Sequence, residues 1–134
     1  APAQPVKHGH ETILLVEDEP AILHMLQTIL ERADYRVLTA GAPSDAIRLA
    51  EKHVGKIHLL MTDLVMPEMS GMDLAKRLLS FAPHLKCLFM SGYTANVITR
   101  HGMPDVGVNF LQKPFSGKAL TDRVREMLDR RPQE

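Results

Sequence analysis

The chain has 134 residues, which is enough for one domain with a hydrophobic core and too few for two. Its 16 basic and 16 acidic residues balance, so bulk charge draws it neither to nucleic acid nor to an anionic membrane. Trp is absent and aromatic residues make up 4% of the chain, which argues against a surface that stacks bases. We therefore expect one globular domain with no nucleic-acid partner and no direct membrane contact.

The single cysteine, Cys87, cannot form an internal disulfide, so we expect a protein of the reducing cytoplasm. Apolar residues follow Cys87 in a strand-like run, which predicts a buried thiol. No apolar stretch approaches the roughly 20 residues that cross a bilayer. The start of the chain lacks the apolar core of a signal peptide and an initiator methionine, so we expect a processed chain or a piece of a longer one.

Apolar runs alternate with amphipathic segments along the chain. We predict one domain over residues 11–131, a flexible tail or linker over 1–10, and a short tail over 132–134. The predicted strands are 12–16, 35–40, 57–62, 87–90 and 108–111, and the predicted helices are 20–33, 43–54, 70–82, 94–101 and a last one that Ser116 caps. In the second of these helices Val54 should face inward, and Gly55 should end the helix.

Five successive strand–helix units predict a parallel sheet with helices on both faces. The near-continuous apolar character of the third strand agrees with burial on both sides. We therefore expect an α/β, flavodoxin-like (βα)5 three-layer sandwich with right-handed crossovers and the sheet order 2-1-3-4-5. In that order the first and third strands are neighbours, and ligands bind beyond the carboxyl ends of the strands.

The first and third predicted strands both end in acidic residues, namely Glu17, Asp18 and Glu19 on the first and Asp63 on the third. The acids at 17, 18 and 63 should therefore face one another in a crevice. Two carboxylates about 4 Å apart repel by roughly 4 kcal/mol at an effective dielectric constant of about 20, so a proton or a cation must offset the charge. An all-oxygen site rich in carboxylates suits Mg²⁺, and we predict metal binding by Asp18 and Asp63, with Glu19 left as a solvated acid.

Asp63 has a second predicted role, because a carboxylate can attack phosphorus and form an acyl phosphate. Such a transfer depends on positioning and on charge neutralisation. Lys113 and Ser91 follow two further strand-like runs, so they should lie at the same edge of the sheet. Lys113 could pair with phosphoryl oxygens, and Ser91 could donate a hydrogen bond to another.

Four segments occur in a defined order, each at the end of a predicted strand. They are Leu-Val-Glu-Asp-Glu at 15–19, Met-Thr-Asp-Leu-Val-Met-Pro at 61–67 followed by Gly71, Phe-Met-Ser-Gly at 89–92, and Lys-Pro-Phe at 113–115. Together they resemble the receiver (response-regulator) domain of two-component signalling, over residues 11–130. Each segment alone is a weak match, whereas all four in order are specific.

The resemblance implies that Asp63 accepts a phosphoryl group from a phosphohistidine, in the presence of Mg²⁺. The partner would be a histidine kinase or a histidine phosphotransfer protein. Asp18 would bind the metal directly, Glu17 through water, and the backbone carbonyl of Val65 would complete the protein ligands. The acidic pair at 17 and 18 is Glu-Asp, whereas Asp-Asp is commoner in the family.

The resemblance also implies a switch, in which Ser91 and Lys113 move to the acyl phosphate and Phe110 rotates into the space that opens. The face made by the fourth helix, the fifth strand and the last helix would then change shape. If the chain forms a dimer, this face would form the interface. The domain would be a signalling module and not an enzyme that turns over substrate.

Two other classes of protein fit the sequence less well. A phosphohydrolase with an aspartate nucleophile needs a second Asp two residues on, and that position is Val65. A nucleotide- or flavin-binding module needs a Gly-rich loop after the first strand, where this chain has acids and Pro20. By resemblance we expect the receiver at the C-terminus of a hybrid sensor histidine kinase, with a stand-alone regulator or phosphate sink as the alternatives.

Overall fold

A computed structural model describes residues 9–92 and 110–130. Within these residues one parallel sheet holds all five strands, in the order β2-β1-β3-β4-β5. This order confirms the predicted fold class. The strands are β1 (Thr12–Val16), β2 (Arg36–Ala40), β3 (Leu59–Asp63), β4 (Lys86–Ser91) and β5 (Phe110–Gln112).

Helices cover both faces of the sheet, because successive side chains of a strand point to opposite faces. The helices are α1 (Pro20–Arg32), α2 (Pro43–Lys52), α3 (Gly71–Leu79) and the C-terminal helix (Gly117–Asp129). Leu14 of β1 packs on the side of α2 and α3, and Leu15 packs on the side of α1 and the C-terminal helix. The resulting three layers enclose two hydrophobic clusters.

Local signals set where the helices begin. Pro20 and Pro43 occupy the first turns of α1 and α2, where the missing N–H leaves no hydrogen bond unmade. Ser70 and Ser116 cap α3 and the C-terminal helix, and their hydroxyl oxygens accept the backbone N–H of Asp73 at 3.1 Å and of Ala119 at 3.0 Å. The predicted cap at Ser116 is therefore confirmed.

The predicted end of the second helix is wrong. Helix α2 ends at Lys52, and Val54, which we expected to face inward, is 54% exposed. The cause is a turn in which the N–H of Lys56 donates to the carbonyl of His53 while Gly55 takes a φ of 81°, a left-handed conformation that suits glycine.

Several other boundaries differ from the predicted ones. Helix α3 ends at Leu79, before the predicted end at 82. Gly9, within the predicted tail, donates its N–H to the carbonyl of Ala33 at 2.9 Å. The predicted helix 94–101, strand positions 108–109 and the tail 132–134 lie outside the described residues. Across 9–92 and 110–130 we find no helix with the length and apolar character that crossing a bilayer requires.

The edge of the sheet opposite the acidic crevice carries a partly buried ion pair. Two guanidinium nitrogens of Arg125, on the C-terminal helix, donate to the two carboxylate oxygens of Glu11 at 3.1 and 2.6 Å. Arg125 also bonds to Asp129 at 2.8 Å and to the hydroxyl of Tyr35 at 3.4 Å. The hydrogen bond from Arg125 lowers the pKa of Glu11 to about 2, although burial opposes the shift. The first strand is thereby tied to the last helix.

We predict that Glu11→Gln destabilises the fold at neutral pH by about 2–3 kcal/mol, because it removes the carboxylate charge that pairs with Arg125 through two hydrogen bonds. Since the folded-state pKa of Glu11 is lowered, its stabilisation is present above the unfolded pKa of about 4.5 and is lost as the pH falls toward about 2. Urea unfolding at neutral pH and at about pH 3 should show the difference between the two proteins shrinking by more than half. The exposed Glu51→Gln is the matched control, and an equal effect of both changes would contradict the prediction.

Candidate functional site

The register of the sheet brings the acids of β1 and β3 together. Val16 is paired with Thr62, so Glu17 and Asp63 are the next residues on two neighbouring strands. The N–H of Glu17 donates to the carbonyl of Ala40 at the end of β2, which holds this end of β1 in place. The two acids therefore meet at the carboxyl edge of the sheet, as the sequence predicted.

Glu17, Asp18 and Asp63 form an acidic cluster. One carboxylate oxygen from each lies within 4.8 Å of the others. Glu17 is buried, the side chain of Asp63 is 16% exposed, and Asp18 is exposed. The cluster is therefore buried at the Glu17 end and open to solvent at the Asp18 end, where a solvated cation or a phosphoryl group can enter.

Lys113 reaches this cluster from the segment that follows β5. Its Nζ lies 3.2 Å from Oε1 of Glu17 and 3.4 Å from Oδ2 of Asp63. Burial alone lowers the pKa of Lys113, but the charges of Asp63 and Glu17 outweigh that effect, and the net pKa is raised. Its backbone N–H donates to the carbonyl of Ser91 at 2.8 Å, and the Lys113–Pro114 peptide bond is cis. The ammonium is therefore held charged beside both acids.

Both carboxylate oxygens of Glu17 already accept a hydrogen bond. Oε1 faces Lys113, and Oε2 accepts the backbone N–H of Glu19 at 3.2 Å. Burial raises the pKa of Glu17, and the charge of Asp63 adds to the rise, whereas the Glu19 N–H and Lys113 oppose it. Glu17 can therefore position Lys113 and contribute negative charge, while Asp18, which is exposed, is freer to contact a ligand.

The carboxylate of Asp63 is oriented by its own loop. Its Oδ1 accepts the N–H of Leu64 at 3.0 Å, which leaves Oδ2 toward Lys113. The carbonyl of Leu64 accepts the N–H of Gly71 at 2.8 Å, and this bond closes the loop between β3 and α3. A Cβ on Gly71 would lie 2.2 Å from the carbonyl oxygen of Asp63, so this close approach requires glycine.

The other predicted site residues lie on β4, on β5 and in the loop after β3. Ser91 is buried and follows Met90, the residue paired with Asp63. Phe110 begins β5, and its ring centroid lies 5.9 Å from that of Phe89 in a tilted arrangement. Val65 is 58% exposed in the loop after Asp63.

Two contacts near the cluster were not predicted from the sequence. One is the hydrogen bond from the backbone N–H of Glu19 to Oε2 of Glu17, which residue type does not predict. The other joins the carboxylate of Glu68 to Ser44, at the start of α2. A signal for the second exists, since Ala42 precedes α2 and has no side-chain oxygen to cap it.

The donor set fits a divalent cation. Three carboxylates and one ammonium leave an excess of two negative charges when all are ionised, and a dication balances that excess. The available ligand atoms are oxygens, which Mg²⁺ prefers.

Comparisons with known proteins agree with this geometry. Residues 13–125 match the family model of the response regulator receiver domain. The sensor kinase CckA of Brucella abortus is 37% identical over 91% of this chain, and the chain spans 13% of that protein. The response regulator receiver protein CpdR of the same organism is 35% identical over 87% of this chain and 95% of its own length. A crystal structure of the receiver domain from the hybrid histidine kinase CckA aligns with a TM-score of 0.75 at 34% identity, over 88% of this chain and 99% of that one.

A parallel five-stranded sheet with acids and a lysine at its carboxyl edge is the architecture of a phosphoryl-signalling domain. The chain belongs to the response regulator receiver domain family of two-component signal transduction. Members of this family act as phosphoacceptors, bind Mg²⁺ at an acidic pocket, and interact with histidine kinases or phosphotransfer proteins.

Proposed function

We propose that Asp63 is the phosphoacceptor of this receiver and takes its phosphoryl group from a phosphohistidine on a partner protein. The observation that carries the proposal is the position of the Asp63 carboxylate, with Lys113 at 3.4 Å and with Glu17 and Asp18 in the same cluster. An acid placed between a cation and further acids suits both phosphoryl binding and metal binding.

In the proposed transfer a carboxylate oxygen of Asp63 attacks phosphorus, in line with the nitrogen that leaves. A P–O bond forms as the P–N bond breaks, and the bonding electron pair returns to the partner's imidazole. The ammonium of Lys113 balances charge on the transferred oxygens. Hydrolysis of the acyl phosphate later restores Asp63 and releases phosphate.

Asp18, Asp63 and the carbonyl of Val65 would hold Mg²⁺, and Glu17 would act through water because its carboxylate is fully buried, whereas Asp18 is exposed and Asp63 is partly exposed. When bound, Mg²⁺ supplies charge neutralisation for the phosphoryl oxygens.

The conformational change on phosphorylation would pass from Ser91 to β5. Ser91 and Lys113 are linked by their backbones, so movement of one toward an acyl phosphate pulls on the segment that holds the other. Phe110 lies three residues before Lys113, and its carbonyl accepts a hydrogen bond from Arg123 of the C-terminal helix at 2.7 Å. A change at Asp63 can therefore reach the face formed by β5 and the C-terminal helix, which we propose as the signalling surface.

The native context of the domain would be a hybrid sensor histidine kinase, in line with its similarity to CckA. A stand-alone receiver is the second candidate, because CpdR is matched over 95% of its length. The coding sequence upstream of Ala1 decides between them: a kinase core there supports the first, and a start codon supports the second.

Incubation with acetyl phosphate and Mg²⁺ tests the phosphoacceptor function. The intact mass should rise by one phosphoryl group, and a chelator should prevent the rise. If the mass does not change at any Mg²⁺ concentration, the proposed function is wrong.

We predict that Lys113→Ala lowers the labelling rate about 10- to 100-fold, the effect expected from losing one charge-assisted contact to the phosphoryl group. It should not weaken Mg²⁺ binding, because removing a cation beside the acids leaves the site more negative. Rates from intact mass and Mg²⁺ affinity from calorimetry check the two parts separately. Lys76→Ala, at an exposed position of α3, is the control. A large loss of Mg²⁺ affinity with an unchanged labelling rate would count against the proposed role of Lys113.

A further inference from the structure

Helix α2 begins without a cap of its own. Its N-cap residue is Ala42, which makes no side-chain hydrogen bond, and Pro43 has no N–H. The first-turn N–H of Ser44 instead donates to Oε1 of Glu68 at 3.0 Å, and the hydroxyl of Ser44 lies 3.3 Å from Oε2 of the same carboxylate. An acid from a distant loop therefore performs the capping that the local sequence omits.

Glu68 belongs to the loop that joins β3 to α3, which also contains Val65. The loop is anchored at its base by the bond from Gly71 to Leu64, and partway along by Met66, which is 8% exposed. Val65 and Glu68 are both exposed, so the hydrophobic core does not hold them. The hydrogen bonds from Ser44 to the carboxylate of Glu68 attach this outer part of the loop to the start of α2.

The start of α2 is thereby connected to both sides of the acidic cluster. On one side, Ala40, two residues before Ala42, accepts the N–H of Glu17. On the other side, Ser44 holds Glu68, three residues beyond Val65. We propose that Glu68 is a positioning residue. By accepting hydrogen bonds from Ser44 at the start of α2, it fixes where Val65, on one side of the Mg²⁺ site, lies relative to Glu17, on the other side.

The inference rests on the proposed function, and titration of the metal alone tests it without a phosphodonor. By calorimetry, Glu68→Ala should weaken Mg²⁺ binding about five-fold, the equilibrium effect of losing one such hydrogen-bonded tie. Glu68→Gln should stay within about two-fold of the unaltered chain, since its amide oxygen can still accept the N–H of Ser44. Glu51→Ala removes an exposed acid of α2 that is not part of the tie, and should leave the affinity unchanged.

Hydrogen exchange of the Ser44 amide supplies a second readout. The amide should exchange faster in Glu68→Ala and at its original rate in Glu68→Gln. Three results would overturn the inference: unchanged Mg²⁺ affinity in Glu68→Ala, unchanged Ser44 exchange in that variant, or equal losses of affinity in both Glu68 variants, which would assign the effect to charge.

Failure of the inference is distinguishable from failure of the proposed function. If the unaltered chain is labelled on Asp63 while the Glu68 variants bind Mg²⁺ normally, the inference alone is wrong. If the unaltered chain is not labelled, the proposed function is wrong, whatever the affinities of the variants.

Discussion

Asp63→Asn is expected to abolish labelling by acetyl phosphate while leaving the protein folded. The amide has nearly the shape of the carboxylate, and its oxygen can still accept the N–H of Leu64, which donates to Oδ1 at 3.0 Å. It lacks the negative charge that makes the carboxylate a nucleophile toward phosphorus. Intact mass spectrometry with Mg²⁺ present should show no added phosphoryl group, and circular dichroism should show an unchanged fold.

Asp73→Asn is the matched control, because Asp73 is an exposed aspartate in the first turn of α3 and is not part of the acidic cluster. This variant should be labelled at the rate of the unaltered chain. Equal labelling of the Asp63 and Asp73 variants would refute the assignment of Asp63. Peptide mapping of the labelled protein would then locate the carboxylate that reacts.

Gly71→Ala is expected to destabilise the fold by about 3 kcal/mol and to slow labelling, because the new methyl group would overlap the backbone. The added Cβ would lie 2.2 Å from the carbonyl oxygen of Asp63 and 3.1 Å from Cγ2 of Thr62. A backbone carbonyl cannot rotate away as a side chain would. Relief of the overlap must therefore displace either the start of α3 or the end of β3, and the second of these carries the phosphoacceptor.

Urea unfolding should give the loss of stability of Gly71→Ala, and the initial rate of acetyl phosphate labelling should give the effect on the site. Gly41→Ala is the control, since a Cβ at Gly41 would have no atom within 4 Å. A Gly71→Ala variant as stable as Gly41→Ala would show that the loop adapts without strain and that the close approach is not required.

Local signals account for the parts of the fold that were predicted well. The strand at 12–16 and the starts of α1 and α2 lie where the apolar run and the prolines indicated. The cap at Ser116 also formed, since a capping hydroxyl and the N–H it accepts are only three residues apart. The end of α2 was predicted less well, because the apolar Val54 continues the helical pattern although the chain has already turned.

Contacts between distant residues could not be predicted in the same way. Glu17 and Lys113 are 96 positions apart, and Ser44 and Glu68 are 24 apart. Residue type indicated that Lys113 could pair with the oxygens of a phosphoryl group on Asp63. It did not indicate that Lys113 would also bond to Glu17, or that both oxygens of Glu17 would be occupied.

The order of apolar runs, turns and strand-end acids was sufficient to predict a parallel sheet with a carboxylate-rich edge, because strand–helix alternation specifies a parallel sheet and parallel strands end on the same side. The resemblance of four ordered segments to receiver domains indicated the family. The hydrogen-bond partners of each acid were decided by tertiary packing. Whether a carboxylate bonds to Lys113, to a backbone N–H or to the start of another helix depends on shifts of about an ångström between neighbouring elements. Those shifts follow from how two hydrophobic clusters fill both faces of the sheet, which no single stretch of the chain encodes.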